Sequence, residues 1–266
     1  MISLICATLD GSLKIDNLLK SLKNQIYRNF EIIVVDQSQT NKIELVCKKY
    51  INFFKIKYLR IKQKGLSKAR NYGLKYADGN IIGFPDDDCS YFKDTLKSVD
   101  NYFKFNRKVF CIIGRDVNQK NLQEKELNTF NFYRITNSNT IFIKKNDNLI
   151  FDENFGVGAP FYSNEDTLLI MEALLSKKVV FQVPSITVKH DIPDISNIED
   201  EKIKKYSFGA GKFMRRYFGF PGIVYQFFLS FIYHFLLALK ALFLFNFKAF
   251  KKRLYLLFYR ILGFIK

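Results

Sequence analysis

Three consecutive aspartates, Asp86, Asp87 and Asp88, interrupt a chain that is otherwise strongly basic. The 266 residues carry 42 Lys and Arg against 25 Asp and Glu, which gives a net charge of +17. Adjacent carboxylates repel one another unless a positive charge neutralises them, and Mg²⁺ or Mn²⁺ takes carboxylate oxygens while sharing its remaining ligand positions with phosphates and water. In an extended segment Asp86 and Asp88 point to one side and Asp87 to the other. We therefore expect Asp86 and Asp88 to bind a divalent cation.

Other acids and a histidine could complete such a site. Asp36 directly follows the apolar run IIVV, Glu165 and Asp166 open a segment with helical period, and His190 ends the run ITVKH. A carboxylate can accept the proton of an attacking hydroxyl group, and a neutral imidazole can bind Mn²⁺. Each residue also has a structural explanation. Asp36 could be a turn residue, Glu165 and Asp166 could complement a helix dipole, His190 could be structural, and one of the three aspartates could cap a helix that begins near Asp94.

The elements that must position these residues alternate along the first hundred positions. Helical spacing predicts helices between four apolar runs that are typical of strands, at residues 2–7, 31–35, 55–61 and 80–84. This pattern is that of a parallel sheet covered on both faces. Ligands of such sheets bind beyond the carboxyl ends of the strands, which is where Asp36 and the three aspartates follow their runs.

The second half of the chain is less regular. It contains a helical period and several strand-like runs, the last of them two short strands broken at Pro184, at residues 110–117, 139–145, 165–178 and 179–190. We interpret these runs as additions to the same sheet, so that residues 1–198 form one α/β domain. The polar segment 192–202 marks the boundary to a tail, residues 199–266.

The segment before the aspartates, residues 64–89, reads KGLSKARNYGLKYADGNIIGFPDDDC. It resembles the family 2 glycosyltransferases, which commonly show G-L-S-x-A-R-N-x-G-L, then G-(D/N)-x-I-x-F and an acidic DxD-type cluster. The start of the chain is similar to the same family in its first apolar strand, Ala7-Thr8, Gln25, Tyr27 and FEIIVVDQS. The resemblance covers roughly residues 1–190. It implies a GT-A-type, Rossmann-like nucleotide-binding domain with a mixed central sheet.

The resemblance also implies roles in the binding of a nucleotide-diphosphate sugar. Asp36 would hydrogen-bond the nucleobase, with Thr8 lining the same pocket. Asp86 and Asp88, with Asp87 between them, would bind the diphosphate and its Mn²⁺ or Mg²⁺. Arg70, within the family's A-R-N segment, is assigned to the donor site as well, although a solvated helix charge would also fit it.

Two further roles follow from the same resemblance. The family often carries an acidic pair from which the catalytic base comes, and here that pair is Glu165 and Asp166. We assign the base to Asp166, with Glu165 as the second choice. Some family members place a histidine at the end of the last strand, where it completes the metal shell or touches the diphosphate, and His190 occupies that position.

Cysteine usage and the N-terminus bear on the compartment. The four cysteines, Cys6, Cys47, Cys89 and Cys111, are scattered, with no pair at metal-ligand spacing. This favours buried, reduced thiols in a cytosolic compartment. The N-terminal run lacks the basic region and cleavage site of a secretory signal, so we interpret it as the first strand.

The tail concentrates the positive charge. Residues 202–266 hold 13 Lys and Arg and no acid, so they supply 13 of the 17 net charges. Residues 222–247 are almost wholly apolar and long enough to span a bilayer, with Gln226, Ser230 and His234 recurring every four residues as one polar stripe. Basic residues flank this run on both sides, which would keep both of its ends in the cytoplasm.

We therefore expect an interfacial or re-entrant helix, followed by a basic amphipathic helix at 251–266, on an anionic membrane surface. The tail would be peripheral or monotopic, with a single transmembrane pass as a less favoured arrangement. The alternative is a helical subdomain that packs its apolar face on the catalytic domain.

Together these features predict an inverting, metal-dependent glycosyltransferase at the cytoplasmic face of the membrane, with a glycan or lipid-linked glycan as acceptor. A nucleotidyltransferase would use similar carboxylates but needs a Gly-rich basic loop near its N-terminus, which CATLDGSLK lacks. A non-catalytic module that binds membranes or nucleic acid is the third possibility. The intact set of Asp36, Asp86, Asp88 and Asp166 argues against it, and we expect no nucleic-acid partner because no such motif occurs.

Overall fold

The computed structural model describes residues 1–120, 122–133, 135–190 and 194–266. The first part of the predicted boundary segment, residues 192–193, lies outside them. Within the described residues, one mixed sheet contains β1 (Ile2–Thr8), β2 (Phe30–Asp36), β3 (Lys55–Arg60), β4 (Ile81–Gly83), β5 (Cys89–Tyr91), β6 (Cys111–Asp116), β7 (Lys125–Glu126), β8 (Ile141–Lys144) and β9 (Val180–His190).

The helices follow the predicted alternation and then form a C-terminal group. The first five are α1 (Ser12–Lys23), α2 (Lys42–Lys48), α3 (Leu66–Leu74), α4 (Thr95–Phe105) and α5 (Glu165–Leu175). Three more complete the chain: α6 (Asp200–Arg216), α7 (Pro221–Phe243) and α8 (Phe247–Ile265).

The strand order is β3-β2-β1-β4-β8-β6-β9-β5, with β7 paired to β9. The four strands β1 to β4 are mutually parallel, as their alternation with helices predicted. Strand β8 runs antiparallel to both β4 and β6, and β5 runs antiparallel to β9. The second half of the chain therefore extends the same sheet, which confirms the prediction of a mixed central sheet.

Helices cover both faces of this sheet, and successive side chains of a strand point to opposite faces. On β2, Ile32 and Val34 join a core with α1, α2 and α4, whereas Ile33 and Val35 join a second core. The second core also contains residues of α3 and α5, and Phe213 of α6. Helix α6 thus packs against the α/β sheet, and the domain boundary near residue 198 stays a prediction.

Strand β9 is one strand, so the prediction of two short strands broken at Pro184 was wrong. The pairing of β6 with β9 jumps from Ile113 opposite Gln182 to Arg115 opposite Thr187, so Pro184 lies in an irregularity where no ladder N–H is needed. The side chain of Arg115 donates from Nε to the Pro184 carbonyl at 2.9 Å. One strand therefore runs continuously to His190.

Helices α7 and α8 place polar groups between them and apolar groups outside. The polar stripe of α7 faces inward: Arg260 donates to the Ser230 hydroxyl group, and Arg253 Nη1 lies 3.0 Å from His234 Nδ1. The outward residues include Phe243 and Phe245, which are 83% and 80% exposed. Among the described residues, α7 is the one helix whose length and composition would let it cross a membrane.

Helices α6 and α8 approach each other closely at two glycines. A Cβ atom on Gly211 would collide with the Arg260 carbonyl oxygen, and a Cβ atom on Gly263 would collide with the Phe208 carbonyl oxygen. The two backbones are therefore in direct contact, without an intervening layer of side chains.

Candidate active site

A cleft of about 880 Å³ opens beyond the carboxyl end of β1 and beside the three aspartates. Its walls come from the β1–α1 loop, the segment 86–88, the loop before α5, and the first turns of α6. This is the edge of the sheet at which the sequence predicted a ligand site. Of the predicted site residues, the cleft is lined by Thr8, Asp86, Asp87, Asp88, Glu165, Asp166 and His190.

The three aspartates point in two directions, but residues 87–88 form a turn and not the expected extended segment, with the Cys89 N–H donating to the Asp86 carbonyl oxygen at 3.3 Å. Asp87 Oδ2 accepts a 2.6 Å hydrogen bond from the Thr8 hydroxyl group at the end of β1. Burial raises the pKa of Asp87. Asp86 and Asp88 instead point toward His190, and one ligand atom from each of these three residues lies within 4.8 Å of the other two.

Strand β5 explains why His190 reaches the aspartates. Its pairing with β9 sets Cys89 opposite His190, so the imidazole lies beside Asp88, with Nε2 3.2 Å from Asp88 Oδ1. This hydrogen bond holds the pKa of Asp88 well below its usual range and raises the pKa of His190. The backbone N–H of His190 donates to Asp116 Oδ2 at 2.9 Å, which fixes the end of the strand.

The ligand atoms of Asp86, Asp88 and His190 suit a hard or borderline divalent cation. Two carboxylates and one imidazole converge, and His190 Nδ1 is buried with no hydrogen-bond partner among the described residues. Such a set leaves ligand positions for phosphate oxygens and water. Lys14 of α1 is a local counter-charge that sequence analysis missed: its Nζ lies 3.2 Å from Asp88 Oδ2. A lysine at the start of an amphipathic helix gives no signal of such a contact.

Arg70 is buried behind the acids, with only 1% of its surface exposed. Its Nη2 donates to Asp86 Oδ1 and to the Ser138 hydroxyl group, both at 2.9 Å, and its Nη1 donates to Glu165 Oε1 at 3.0 Å. The guanidinium group therefore joins the proposed metal ligand Asp86 to the acidic pair that begins α5. The donor-binding role assigned to Arg70 stays a prediction, since this position is beneath the cleft surface.

Asp36 is also buried, at the end of β2 and opposite Thr8 in the sheet. Its Oδ2 accepts a 2.6 Å hydrogen bond from the Tyr58 hydroxyl group, and its Oδ1 accepts one of 2.8 Å from the Ser38 backbone N–H. The next residue, Gln37, lines the cleft, and its Oε1 accepts a bond from the Gly65 N–H at 2.7 Å. The nucleobase role of Asp36 stays a prediction.

Glu165 and Asp166 begin α5 but are held differently. Glu165 is 7% exposed and ion-paired with Arg70, and burial together with the nearby Asp166 raises its pKa to about 7. Asp166 is half-buried, and its oxygens accept hydrogen bonds from the backbone N–H groups of Thr167 at 2.7 Å and Ser138 at 3.1 Å. Desolvation raises the pKa of Asp166 as well. Asp166 is thus the more accessible carboxylate of the pair.

Residues 3–165 match the sequence model of the family described as Glycosyl transferase family 2. The chain belongs to this family. The match covers strands β1 to β8, the three aspartates and the first residue of the acidic pair, so the resemblance seen in the sequence is confirmed.

Two curated relatives of this family 2 glycosyltransferase are named for teichoic acid and for poly(ribitol-phosphate). The chain is 29% identical over 196 residues to "Minor teichoic acid biosynthesis protein GgaB" of Bacillus subtilis, a match of 66% of this chain and 21% of GgaB. It is 30% identical over 192 residues to "Poly(ribitol-phosphate) beta-N-acetylglucosaminyltransferase TarS" of Staphylococcus aureus, a match of 65% of this chain and 32% of TarS. The chain thus spans a third or less of the length of these relatives.

Solved structures show the same fold. Mannosyltransferase PcManGT from Pyrobaculum calidifontis, in complex with GDP-Man and Mn²⁺, superposes with a TM-score of 0.73 at 13% identity, over 99% of this chain and 86% of that one. S. aureus TarS 1–349 in complex with UDP-GlcNAc superposes with a TM-score of 0.57 at 23% identity, over 79% of this chain and 66% of that one. The prediction of a GT-A-type fold is confirmed.

Part of the cleft of this glycosyltransferase comes from residues that sequence analysis assigned to the tail. Lys202 and Tyr206 of α6 line it, together with Tyr162 from the loop before α5. The rings of Tyr162 and Tyr206 meet edge to face with centroids 5.7 Å apart. The i, i+4 spacing of Lys202 and Tyr206 is the one signal that could have placed them on a common face of the helix.

Proposed function

We propose that this protein transfers a sugar from a nucleotide-diphosphate donor to a hydroxyl group of a glycan acceptor, with inversion at the anomeric carbon. The observation that carries the proposal is the convergence of Asp86, Asp88 and His190 with Asp166 in one cleft. Relatives with the same fold are described in complex with UDP-GlcNAc and with GDP-Man and Mn²⁺, which supports a nucleotide-sugar donor. A UDP-sugar is the first donor to test.

Asp86, Asp88 and His190 would hold Mn²⁺ or Mg²⁺. When bound, the cation would neutralise the negative charge that develops on the departing diphosphate. Lys14, beside Asp88, adds a second positive charge on the same side of the cleft. Arg70 positions Asp86 from below through its 2.9 Å bond.

Asp166 acts as the base in this mechanism. The acceptor oxygen forms a bond to the anomeric carbon while the bond from that carbon to the diphosphate oxygen breaks, and Asp166 accepts the hydroxyl proton. Glu165 is less suited to this task because its carboxylate is buried against Arg70. Glu165 instead positions the start of α5, and the backbone N–H of Ser138 orients the Asp166 carboxylate.

Donor binding is tested first with Asp88→Ala. We expect UDP with Mn²⁺ to raise the Tm of the wild type, since a ligand at a hundred times its Kd stabilises a protein by about 2.7 kcal/mol. Asp88→Ala should lose this shift because it removes a ligand of the cation, and a chelator should abolish the shift in the wild type. The measurement is thermal unfolding followed by fluorescence.

Asp94→Ala is the matched control, because Asp94 is an exposed residue before α4 outside the cleft. It should keep the full shift. Equal stabilisation of Asp88→Ala and wild type by UDP with Mn²⁺ would contradict the assigned metal site.

We also propose that α7 and α8 bind the protein to the cytoplasmic face of the membrane. Their arrangement is the reverse of a soluble helix pair: Ser230 and Arg260 are buried between them, while Phe243 and Phe245 are exposed near the turn. Lys248 and Lys251 follow the same turn and would meet anionic headgroups.

The double variant Phe243→Glu/Phe245→Glu should weaken binding to vesicles of mixed anionic and zwitterionic phospholipid by more than tenfold. Burying one phenylalanine side chain contributes about 1.5–3 kcal/mol, and a glutamate would also be repelled by anionic lipid. Cosedimentation with vesicles measures the effect. Phe105→Glu, at an 85% exposed position on α4, is the control and should bind like wild type. Unchanged sedimentation of the double variant would refute the membrane role of the turn.

A further inference from the structure

The first turns of α6 form a wall of the cleft that is fixed to the segment carrying Asp166. The Ser163 hydroxyl group donates to the Tyr206 carbonyl oxygen at 2.8 Å. One turn later, a Cβ atom on Gly209 would lie only 2.6 Å from Ser163 Oγ, so the helix backbone lies directly against this loop. The side chains that α6 presents to the cleft are therefore held in place relative to the acidic pair.

This wall offers positive charge and aromatic surface together. Lys202 Nζ lies 5.5 Å from the centroid of the Tyr206 ring, and Lys205 Nζ, which is outside the cleft lining, lies 5.3 Å from the centroid of the Tyr162 ring. Tyr206 is 37% exposed, which leaves part of its ring free for a ligand. Aromatic rings pack against the C–H faces of sugars and polyols, whereas ammonium groups bind phosphate oxygens.

The charges of this wall lack strong acidic partners. Within the described part of the chain, Lys202 makes no ion pair, and Lys205 has only a 3.6 Å contact with Glu201 in which both side chains are about half exposed or more. From residue 202 onward the chain contains no acid at all. Lys202 lines the cleft, and an exposed ammonium group without an ion-pair partner can bind an incoming anion.

The wall lies on the acceptor side of the site. The aspartates and His190 would hold the diphosphate of the donor, and Asp166 must face the attacking hydroxyl group. Helix α6 is hydrogen-bonded, through the Tyr206 carbonyl oxygen and Ser163, to the loop that leads into Asp166. An anion bound at α6 would therefore belong to the acceptor.

We infer that Lys202, Tyr206 and Tyr162 form an acceptor subsite that binds a phosphate ester carried close to the reacting hydroxyl group. The inference rests on the proposed function, because it names the acceptor class of that same cleft. Lys202 binds the phosphate, and Tyr206 packs against the adjoining carbon chain. Such a phosphate occurs either in a phosphodiester-linked polymer or in the headgroup of a lipid-linked glycan, and the chemistry of the contact is the same for both.

Binding, not turnover, tests this subsite. Calorimetric titrations would use three probes: a four-unit glycerol-phosphate oligomer, geranyl diphosphate as the lipid phosphate, and a neutral tetrasaccharide. We expect Lys202→Gln to weaken the tighter of the two phosphate probes by about tenfold, since a charge-assisted hydrogen bond is lost. Tyr206→Ala should weaken the same probe, whereas Tyr206→Phe, which keeps the ring, should bind it like wild type.

Lys204→Gln is the matched control. It removes the same charge from the same helix, but Lys204 Nζ lies over Tyr259 of α8, 5.6 Å from the ring centroid, and does not line the cleft. It should leave the Kd of every probe unchanged. Equal thermal unfolding of all four variants would verify that α6 stays folded.

The titrations are performed in buffer alone and with UDP and Mn²⁺. If UDP and Mn²⁺ do not change the Kd of the phosphate probes, this result counts against the proposed donor site. The comparison of Lys202→Gln with Lys204→Gln in buffer alone still decides whether the subsite exists. The subsite is refuted if these two variants bind the phosphate probes equally, or if wild type binds the neutral tetrasaccharide as tightly. Preference of the wild type for one phosphate probe identifies the source of the phosphate.

Discussion

Asp166→Asn should lower kcat for sugar transfer by about a thousandfold, in the middle of the range that general base catalysis contributes. The amide keeps the shape of the side chain, and its one oxygen can still accept from one of the two backbone N–H groups, of Ser138 or Thr167, but it cannot accept the acceptor's proton. Donor binding depends on the other side of the cleft, so the Tm shift with UDP and Mn²⁺ should remain. Steady-state release of UDP in the presence of acceptor measures the loss.

Glu165→Gln separates the two members of the acidic pair. Because Glu165 is paired with Arg70 and is nearly buried, its replacement should lower kcat much less than Asp166→Asn does. The desolvated site raises the pKa of Asp166, so the kcat of the wild type should increase with pH as this carboxyl group loses its proton. A larger loss in Glu165→Gln than in Asp166→Asn would assign the base to Glu165 instead.

Arg70→Met should destabilise the protein by about 3–5 kcal/mol, the cost of leaving a buried charge without its partner. The variant removes the bonds to Asp86, Glu165 and Ser138 at once and leaves the Glu165 carboxylate buried without its cationic partner. Chemical unfolding by urea, followed by circular dichroism, measures the loss.

The double variant Arg70→Met/Glu165→Gln is the control for this explanation. It removes the unpaired charge along with the guanidinium group, so it should recover part of the lost stability. Additive losses in the double variant would mean that packing, and not charge pairing, accounts for the effect of Arg70. A loss below about 1 kcal/mol in Arg70→Met, typical of exposed pairs, would contradict the buried ion pair itself.

The local sequence was sufficient to predict the donor half of the fold. Strands β1, β2 and β4 have continuous apolar runs, and the acids at the ends of β2 and β4 follow the rules of parallel sheets. Strand β5 could not be predicted, since three residues are too few to show a period. Its pairing with β9 nevertheless determines that His190 lies beside Asp88.

Long-range contacts account for the other omissions. Lys14 lies on a helix whose sequence indicates only helix formation, yet it contacts Asp88 through the tertiary fold. Arg70 was assigned to the donor site, but its ion pairs with Asp86 and Glu165 were not predicted. The contribution of Lys202 and Tyr206 to the cleft was missed because the composition of the tail suggested a separate membrane segment. Composition indicates whether a segment favours water or a membrane. It does not indicate which side chains of the segment face a neighbouring domain.

The glycine contact between α6 and α8 has a mechanical consequence. Because Gly211 and Gly263 bring the two backbones together, no compressible layer of side chains separates α8, one of the proposed membrane-binding helices, from the helix that carries Lys202 and Tyr206. A tilt of α8 within the bilayer would be transmitted to that wall as a nearly rigid rotation. Bilayer thickness and curvature would then tune the width of the acceptor entrance, so the lipid environment would act as a regulator of turnover as well as an anchor.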